Sequence, residues 1–241
     1  MTTTADMRET RQFARETKFL IDVELSERIR AWARERMGPD PNGSGSSSDH
    51  YSTTSLYFDT DAFDVFRRRG SFGRSKYRIR TYGHYQAIFL ERKFRTEQLL
   101  AKRRTLVDRA DLDRLFASAP DQSWPGYWFH RRLLVRALRP MCQVTYLRTA
   151  RLATSVAGQM RLTIDDGLRV LPMPDLAFIP GTGLPMLEGQ AILELKYRHT
   201  LPSLFKHLIA DFTLAPRTVS KYRLGITALG FAPADQMEVV S

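Results

Sequence analysis

Two neighbouring stretches of the chain, residues 76–82 (KYRIRTY) and 88–94 (IFLERKF), alternate charged side chains with apolar or aromatic ones. Side chains two residues apart share one face of a β-strand, so this period of two predicts two strands with one charged and one apolar face each. The charged faces carry Lys76, Arg78, Arg80, Glu91 and Lys93. Such strands need a sheet whose charged face meets water or an anion.

The triplet Glu-x-Lys recurs in three predicted strands, at residues 16–18, 91–93 and 194–196. Each triplet places a carboxylate beside an ammonium on one strand face, while the opposite face is mostly apolar. Further predicted strands share the pattern through Arg78 and Arg80, Lys102 and Arg104, Tyr146 and Arg148, and Arg161, Thr163 and Asp165. Taken singly, each triplet favours a solvated surface pair that contributes little stability.

The predicted helices favour a different arrangement of these charged faces. Helices bury their apolar sides on a sheet, and the apolar strand faces are the surface available to them. The charged faces then point inward, where roughly ten cations and about four carboxylates would cost several kcal/mol per unpaired charge without water or a counter-ion. We therefore predict a hydrated cavity suited to a polyanion, because converging Arg and Lys side chains bind phosphate chains.

The element pattern predicts an α+β fold in which an antiparallel sheet or barrel is packed with helices. The predicted strands span residues 17–22, 53–59, 75–82, 86–95, 102–108, 141–150, 159–165, 168–172 and 191–197. The predicted helices span residues 24–37, 61–68, 202–212 and 219–229, with a mostly helical region over 110–138. Residues 1–12 are expected to form a polar tail, and residues 38–50 a flexible loop, within a single domain of residues 1–241.

The net charge of +11 and the isoelectric point near 10.1 favour acidic partners such as nucleic acid, phosphate compounds or anionic lipid, without distinguishing among them. The single cysteine, Cys142, allows no intrachain disulfide and suits a reducing compartment. No run of apolar residues is long enough to span a bilayer, and the first residues lack the apolar core of an export signal. We expect a cytoplasmic protein without a membrane span.

Nine fragments then fall in the order and approximate spacing of a known family. They read RETKFLI, SLYFDT, KYRIRTYG, FLERKFR, KRR (102–104), TYLRTA, MRLTID, ILELKYR and SKYRLGITAL. From about Arg15 to Leu229 the chain resembles the VTC domain, the catalytic domain of the vacuolar transporter chaperone polyphosphate polymerases. That domain belongs to the triphosphate tunnel metalloenzymes, which are related to the CYTH domains.

The resemblance implies an antiparallel β-barrel that forms a tunnel for a phosphate chain, with helices packed outside. It implies catalytic roles for Arg78, Arg80, Lys93, Arg148 and Arg161. It implies phosphate contacts from Lys18, Lys102 or its neighbour Arg103, Tyr146, Lys196, Ser220 and Lys221. Glu194 matches the carboxylate that holds a divalent metal, Mn²⁺ or Mg²⁺.

One departure from related hydrolases bears on the reaction. Hydrolytic tunnel enzymes open with Glu-x-Glu-x-Lys, whereas this chain has Ala14 at the first position and keeps only Glu16 and Lys18. The resemblance therefore implies a polyphosphate polymerase that uses ATP or another nucleoside triphosphate. Alternatives are a tripolyphosphate or nucleoside triphosphate hydrolase of the same fold and a non-catalytic polyphosphate-binding module. Pyrophosphate, tripolyphosphate and polyphosphate are further expected ligands, nucleic acid is not expected, and the oligomeric state stays open.

Ser220 and Lys221 begin the last predicted helix, after Pro216. Ser220 or Thr218 suits the N-cap position. Lys221 in the first turn opposes the helix dipole, and an anion bound at this helix end would resolve that conflict.

Overall fold

A computed structural model describes residues 15–40, 49–83, 87–95, 100–156, 158–173 and 175–232. The predicted polar tail, residues 1–12, lies outside these ranges, and so do residues 41–48 of the predicted loop. The two ends of that predicted loop belong to β-strands instead. Gly38–Pro39 pairs with a long strand, and His50 already begins the next strand.

Ten strands and five α-helices make up the described part of the chain. The strands are β1 (Arg15–Asp22), β2 (Gly38–Pro39), β3 (His50–Asp59), β4 (Ser75–Tyr82), β5 (Ala87–Arg95), β6 (Leu100–Asp108), β7 (Arg139–Ser155), β8 (Gly158–Pro172), β9 (Leu184–Pro185) and β10 (Gln190–Tyr197). The helices are α1 (Val23–Arg36), α2 (Asp64–Arg67), α3 (Tyr127–Val135), α4 (Ser203–Asp211) and α5 (Lys221–Ala228). Two 3₁₀-helices span Gly70–Arg74 and Arg109–Phe116.

The strands form one antiparallel sheet in the order β1-β10-β8-β7-β3-β4-β5-β6, with β2 beside β7 and β9 beside β8. Within the described residues, backbone pairing does not join β6 to β1, so the sheet is open. It curls nonetheless, because Lys93 Nζ on β5 donates to Glu16 Oε2 on β1 over 2.8 Å. The predicted antiparallel architecture with packed helices is confirmed, and a side-chain contact rather than a backbone ladder connects β1 to β5, the strand next to the opposite edge of the sheet.

The apolar strand faces carry most of the helices, as predicted. On one side Ile29, Trp32 and Ala33 of α1 pack with Phe19 and Leu193 in one apolar cluster. Asp22 begins α1 by accepting a hydrogen bond from the Leu25 amide at 2.7 Å, which is a typical N-cap contact. These strand residues alternate with Lys18 and Glu194, so the charged side chains are directed to the concave face.

Helix α3 covers another part of the same apolar face of the sheet. Phe129 is fully buried and lies edge-to-face against Phe58 of β3 and Tyr77 of β4, with ring centroids 5.7 and 6.4 Å apart. Tyr77 lies between Lys76 and Arg78 in sequence, so their side chains point to the opposite face. The apolar contacts of α3 thereby fix the inward direction of the β4 cations.

Helix α5 is the exception, because it packs on the concave face. A Cβ built on Gly225 would lie 3.1 Å from Val170 and 3.4 Å from Val144. Val144 shares its face of β7 with Tyr146 and Arg148. The absence of a side chain at Gly225 lets α5 approach this surface closely and carry its first residue, Lys221, to the cavity.

Two predicted element boundaries are wrong for identifiable reasons. Residues 159–165 and 168–172 form one strand, β8, because its register with β7 shifts by one residue between Thr145 and Leu147 while Gly167 has a φ of 56°. The β-bulge accommodates one extra residue within β8, at the point where two separate strands were predicted. The predicted helical region 110–138 is divided by residues 117–126, where Pro120 and Pro125 interrupt a helix.

The buried carboxylate of Asp59 on β3 anchors helices α2 and α5 to that strand. Asp59 is fully buried and accepts hydrogen bonds from the amides of Val65 and Phe66 in α2, at 2.8 and 2.9 Å. The Tyr222 hydroxyl of α5 donates to Asp59 Oδ2 at 2.6 Å. Asp59 therefore positions α5, and with it Lys221, relative to the sheet.

We expect Tyr222→Phe to lower the free energy of unfolding by about 1–3 kcal/mol, because it removes a buried hydrogen bond to a carboxyl group. Tyr77→Phe is the matched control, since Tyr77 is equally buried and its hydroxyl has no hydrogen-bond partner among the described residues. Urea unfolding of both variants should show a loss only for Tyr222→Phe. Equal losses would contradict an anchoring role for the Tyr222–Asp59 contact.

Candidate functional site

The concave face forms a cavity that is open to solvent, and its empty volume of about 600 Å³ includes part of the solvent at the opening. Basic residues from five strands and from the start of α5 converge on it. Its cationic lining consists of Lys18, Lys76, Arg78, Arg80, Lys93, Arg148, Lys196 and Lys221. Glu194, Tyr146 and Ser220 complete the predicted residues that line it. The structure thus brings ten of the thirteen predicted site residues to one cavity.

The other three predicted site residues are placed elsewhere. Arg161 does not line the cavity; its guanidinium donates to the Tyr51 hydroxyl at 2.9 Å and pairs with Asp40. Lys102 also lies outside the lining, and its ammonium is 2.9 Å from Glu91, which contacts the lining residue Arg78. Arg103, one residue further along β6, is on the opposite face, with its guanidinium 4.4 Å from the Trp128 ring centroid. Of the two alternatives Lys102 and Arg103, the structure therefore brings only Lys102 near the cavity.

Three lining residues were missing from the predicted site: Tyr57, Lys76 and Tyr222. Lys76 shares its strand face with Arg78 and Arg80, so the alternation of β4 already contained its signal. Tyr57 lies opposite Arg78 across β3 and β4, and only the strand pairing reveals that. Tyr222 belongs to a helix and has no strand periodicity that points to the cavity.

One wall of the cavity holds two carboxylates among three lysines. Glu16 contacts Lys18 at 2.9 Å and Lys93 at 2.8 Å. Glu194 contacts Lys196 at 2.7 Å and Lys18 at 3.6 Å. Lys18 and Glu194 are paired across β1 and β10, which brings both carboxylates to the same part of the wall.

The lysines keep both of these carboxylates ionised. Burial and the neighbouring Glu194 would raise the pKa of Glu16, but Lys93, Lys18 and Lys196 lower it to about 2. Burial acts in the same upward direction on Glu194, and the lysines hold its pKa well below the usual range. For the amine of Lys93, burial outweighs the attraction of Glu16 and lowers its pKa to about 8. The wall therefore holds charges of both signs in close contact.

A second ion-pair group lies around Asp165 on β8. Arg148 binds the Asp165 carboxylate in a bidentate manner at 2.6 and 2.7 Å, and Lys221 approaches it at 2.6 Å. Burial opposes ionisation of Asp165, but Arg148 and Lys221 lower its pKa. This contact resolves part of the conflict between Lys221 and the helix dipole, because the carboxylate compensates the lysine.

A third group surrounds Glu91, which is almost completely buried on β5. Arg78 contacts it at 2.6 Å, Lys102 at 2.9 Å and Arg104 at 3.1 Å. Burial would raise the pKa of Glu91, whereas Arg78, Lys102 and the other cations hold it well below the usual range. One carboxylate thus supports three cations, so this side of the cavity keeps a net positive charge.

Two cations of the lining have no carboxylate partner among the described residues. Arg80 donates to Ser55 Oγ at 2.9 Å and lies near the rings of Tyr82 and Tyr146. Lys76 Nζ donates to Ser220 Oγ at 2.8 Å. Ser220 is the N-cap of α5, as predicted, with its side chain accepting from the Arg223 amide. The uncompensated positive charge of the cavity suits a ligand with several negative charges.

The geometry of this basic cavity can be compared with known proteins. A sequence model of the VTC domain matches residues 13–230. The chain belongs to the VTC domain family. No curated protein matches the chain. Among solved structures, the VTC domain described here is similar to a candidate adenylate cyclase from Bacillus halodurans, with 13% identity, a TM-score of 0.52 and coverage of 87% of this chain and 95% of that one.

A second solved structure has the same fold. It is a candidate adenylyl cyclase from Hippeastrum, described as having a dominant triphosphatase activity, with 14% identity and a TM-score of 0.53. The alignment covers 93% of this VTC domain and 99% of that chain. Within the described residues of this VTC domain, no helix is both long and apolar enough to cross a membrane.

The family implies a divalent metal. The carboxylate oxygens of Glu16 and Glu194 are the donor atoms in this cavity that fit such a metal. Mg²⁺ and similar hard cations take oxygen ligands and are commonly bound through one or two carboxylates together with substrate phosphates. No cluster of three or more His, Cys, Asp or Glu side chains suitable for a metal occurs in the described ranges. The pKa of each carboxylate is lowered and both contact lysines of the cationic lining, so they fit a metal that would complete its coordination with oxygens of an anionic ligand.

Proposed function

We propose that this VTC domain is a polyphosphate polymerase, which transfers the terminal phosphoryl group of ATP or another nucleoside triphosphate to a polyphosphate chain. The observation that carries this proposal is the ion pairing of the four carboxylates in and around the cavity. Glu16, Glu91, Asp165 and Glu194 all contact lysines or arginines, and the pKa of each is lowered. Such carboxylates are weak bases, and the end of a phosphate chain is an acceptor that needs no base because it is already anionic.

The cations of the lining supply what phosphoryl transfer needs, namely positioning and charge compensation. In the proposed reaction Arg78, Arg80, Lys93 and Arg148 hold the triphosphate and stabilise the charge that develops on the transferred group. Contacts to the remaining phosphates come from Lys18, Lys196, Lys221, Tyr146 and Ser220. The catalytic role of Arg161 and the phosphate contact of Lys102 stay predictions, because both residues lie outside the lining.

Mn²⁺ or Mg²⁺ is the proposed cofactor, and when bound it supplies a Lewis-acidic charge next to the phosphate oxygens. Glu194 and Glu16 would hold the ion. Lys18 and Lys196 contact Glu194 in the described structure and orient its carboxylate. Because these lysines also face the cavity, they can shift toward a phosphate group when the carboxylate is bound by a cation.

A triphosphatase is the second candidate function. It is favoured by the structural similarity to the Hippeastrum protein that is described with dominant triphosphatase activity. The same cations would hold tripolyphosphate or a nucleoside triphosphate, and water would replace the phosphate chain as acceptor.

Incubation of the purified protein with γ-labelled ATP, Mn²⁺ and a short polyphosphate primer distinguishes these functions. We expect the label to enter chains longer than the primer, as resolved by gel electrophoresis. Release of the label only as free phosphate would favour the triphosphatase instead. Binding of the primer without any turnover would indicate a polyphosphate-binding module.

A further inference from the structure

Three lysines lie side by side across neighbouring strands, and two of them line the cavity. Lys76 on β4 is directly opposite Lys93 on β5, and Lys93 is directly opposite Lys102 on β6. Like charges in directly opposed positions destabilise a sheet. Glu16 compensates Lys93 and Glu91 compensates Lys102, at 2.8 and 2.9 Å. Lys76 is the member of this row that lacks a carboxylate among the described residues.

The surroundings of Lys76 are predominantly cationic. Lys18 and Glu16 face it from β1, Lys93 from β5 and Arg68 from the C-terminal end of α2. Its only hydrogen bond in the described structure goes to the neutral hydroxyl of Ser220. Burial, followed by the charges of Lys18, Lys93 and Arg68, holds the pKa of Lys76 well below its usual range.

We propose that Lys76 is a phosphate ligand that takes up a proton when the anion binds. This inference rests on the proposed function, since it assigns a role in the same cavity. In this proposal Lys76, which lies opposite Lys93 and donates only to the neutral Ser220 hydroxyl among the described residues, is a neutral amine in the free protein. A phosphate group at the start of α5 provides the missing negative charge, and the amine binds a proton from solvent to become an ammonium. Binding of the phosphate chain is thereby coupled to the uptake of one proton.

The coupling makes affinity depend on pH in a defined direction. A ligand that prefers the protonated form binds more weakly as pH rises above the pKa of the free amine, by up to about tenfold per pH unit. An arginine at position 76 remains charged at these pH values, so it would bind phosphate without proton uptake. Lys76→Arg is therefore the matched variant, and Lys76→Met is a second variant that lacks any titratable group.

The test is isothermal titration calorimetry of inorganic tripolyphosphate without metal, in two buffers with different ionisation enthalpies at the same near-neutral pH. The buffer dependence of the heat reports the protons exchanged on binding. We expect the wild type to take up about one proton more than either Lys76→Arg or Lys76→Met. The comparison between variants cancels the protons exchanged by tripolyphosphate itself and by other groups such as Lys93.

The outcomes separate this inference from the proposed function. Tripolyphosphate binding with the same proton count in wild type and both variants would overturn the role of Lys76 but leave the proposed function intact. Failure of the wild type to bind tripolyphosphate would overturn both. The inference also requires that the affinity of the wild type for tripolyphosphate falls as pH rises. A pH-independent affinity of the wild type would therefore contradict the inference even if a variant failed to fold.

Discussion

Replacing Glu194 with glutamine should reduce metal-dependent turnover by roughly 100-fold or more, while tripolyphosphate still binds. Glutamine keeps the size of the side chain but removes the negative charge that suits a divalent cation. The change also leaves Lys18 and Lys196 without part of their compensation. Binding of the bare anion should therefore be unchanged or tighter. Turnover with ATP and Mn²⁺, and calorimetric binding without metal, measure the two effects separately.

Glu91→Gln is the control for Glu194→Gln, because it removes a carboxylate on the other side of the cavity. Glu91 supports Arg78, Lys102 and Arg104, so its loss should lower the melting temperature. The Mn²⁺ concentration needed for half-maximal activity should stay the same in Glu91→Gln and rise in Glu194→Gln. Metal-dependent turnover within a few-fold of wild type in Glu194→Gln would show that another carboxylate, such as Glu16, is sufficient to hold the ion.

The double variant Arg78→Ala/Arg80→Ala should lose most of the thermal stabilisation by tripolyphosphate. A ligand present at a hundred times its dissociation constant stabilises the folded state by about 2.7 kcal/mol, or roughly 5–10 °C for a chain of this size. Arg80 has no carboxylate partner in the described residues, and Glu91 retains Lys102 and Arg104 when Arg78 is removed. The variant should therefore fold, and thermal unfolding at low salt with and without tripolyphosphate measures the effect.

Arg103→Ala is the matched control for this double variant. Arg103 belongs to the same sheet but lies against Trp128 on the opposite face. Its removal should leave the tripolyphosphate shift at the wild-type value. If the double variant also kept the full shift, Arg78 and Arg80 would not be part of the phosphate site.

The convergence of the charged residues was predictable because strand periodicity assigns faces without reference to the rest of the fold. Arg78, Arg80 and Glu194 alternate with buried apolar residues such as Tyr77, Ile79, Leu193 and Leu195, and the apolar side needs a helix to cover it. The same rule separates Lys102 from Arg103, since adjacent strand residues point to opposite faces. The resemblance left these two as alternatives, and the contact of Arg103 with α3 placed it on the outer face.

Other features depend on contacts between residues distant in sequence. The period-two pattern cannot show which strands become neighbours, so the row of Lys76, Lys93 and Lys102 emerges only from the sheet register. Helix α5 has no strand periodicity, and its position on the concave face depends on Gly225 and on the Asp59–Tyr222 hydrogen bond. The sequence by itself determined which side chains share a face, because that is local geometry. Tertiary structure alone decided which carboxylate compensates each cation, and it left Lys76 with Ser220, because pairing across the cavity depends on how the sheet curls.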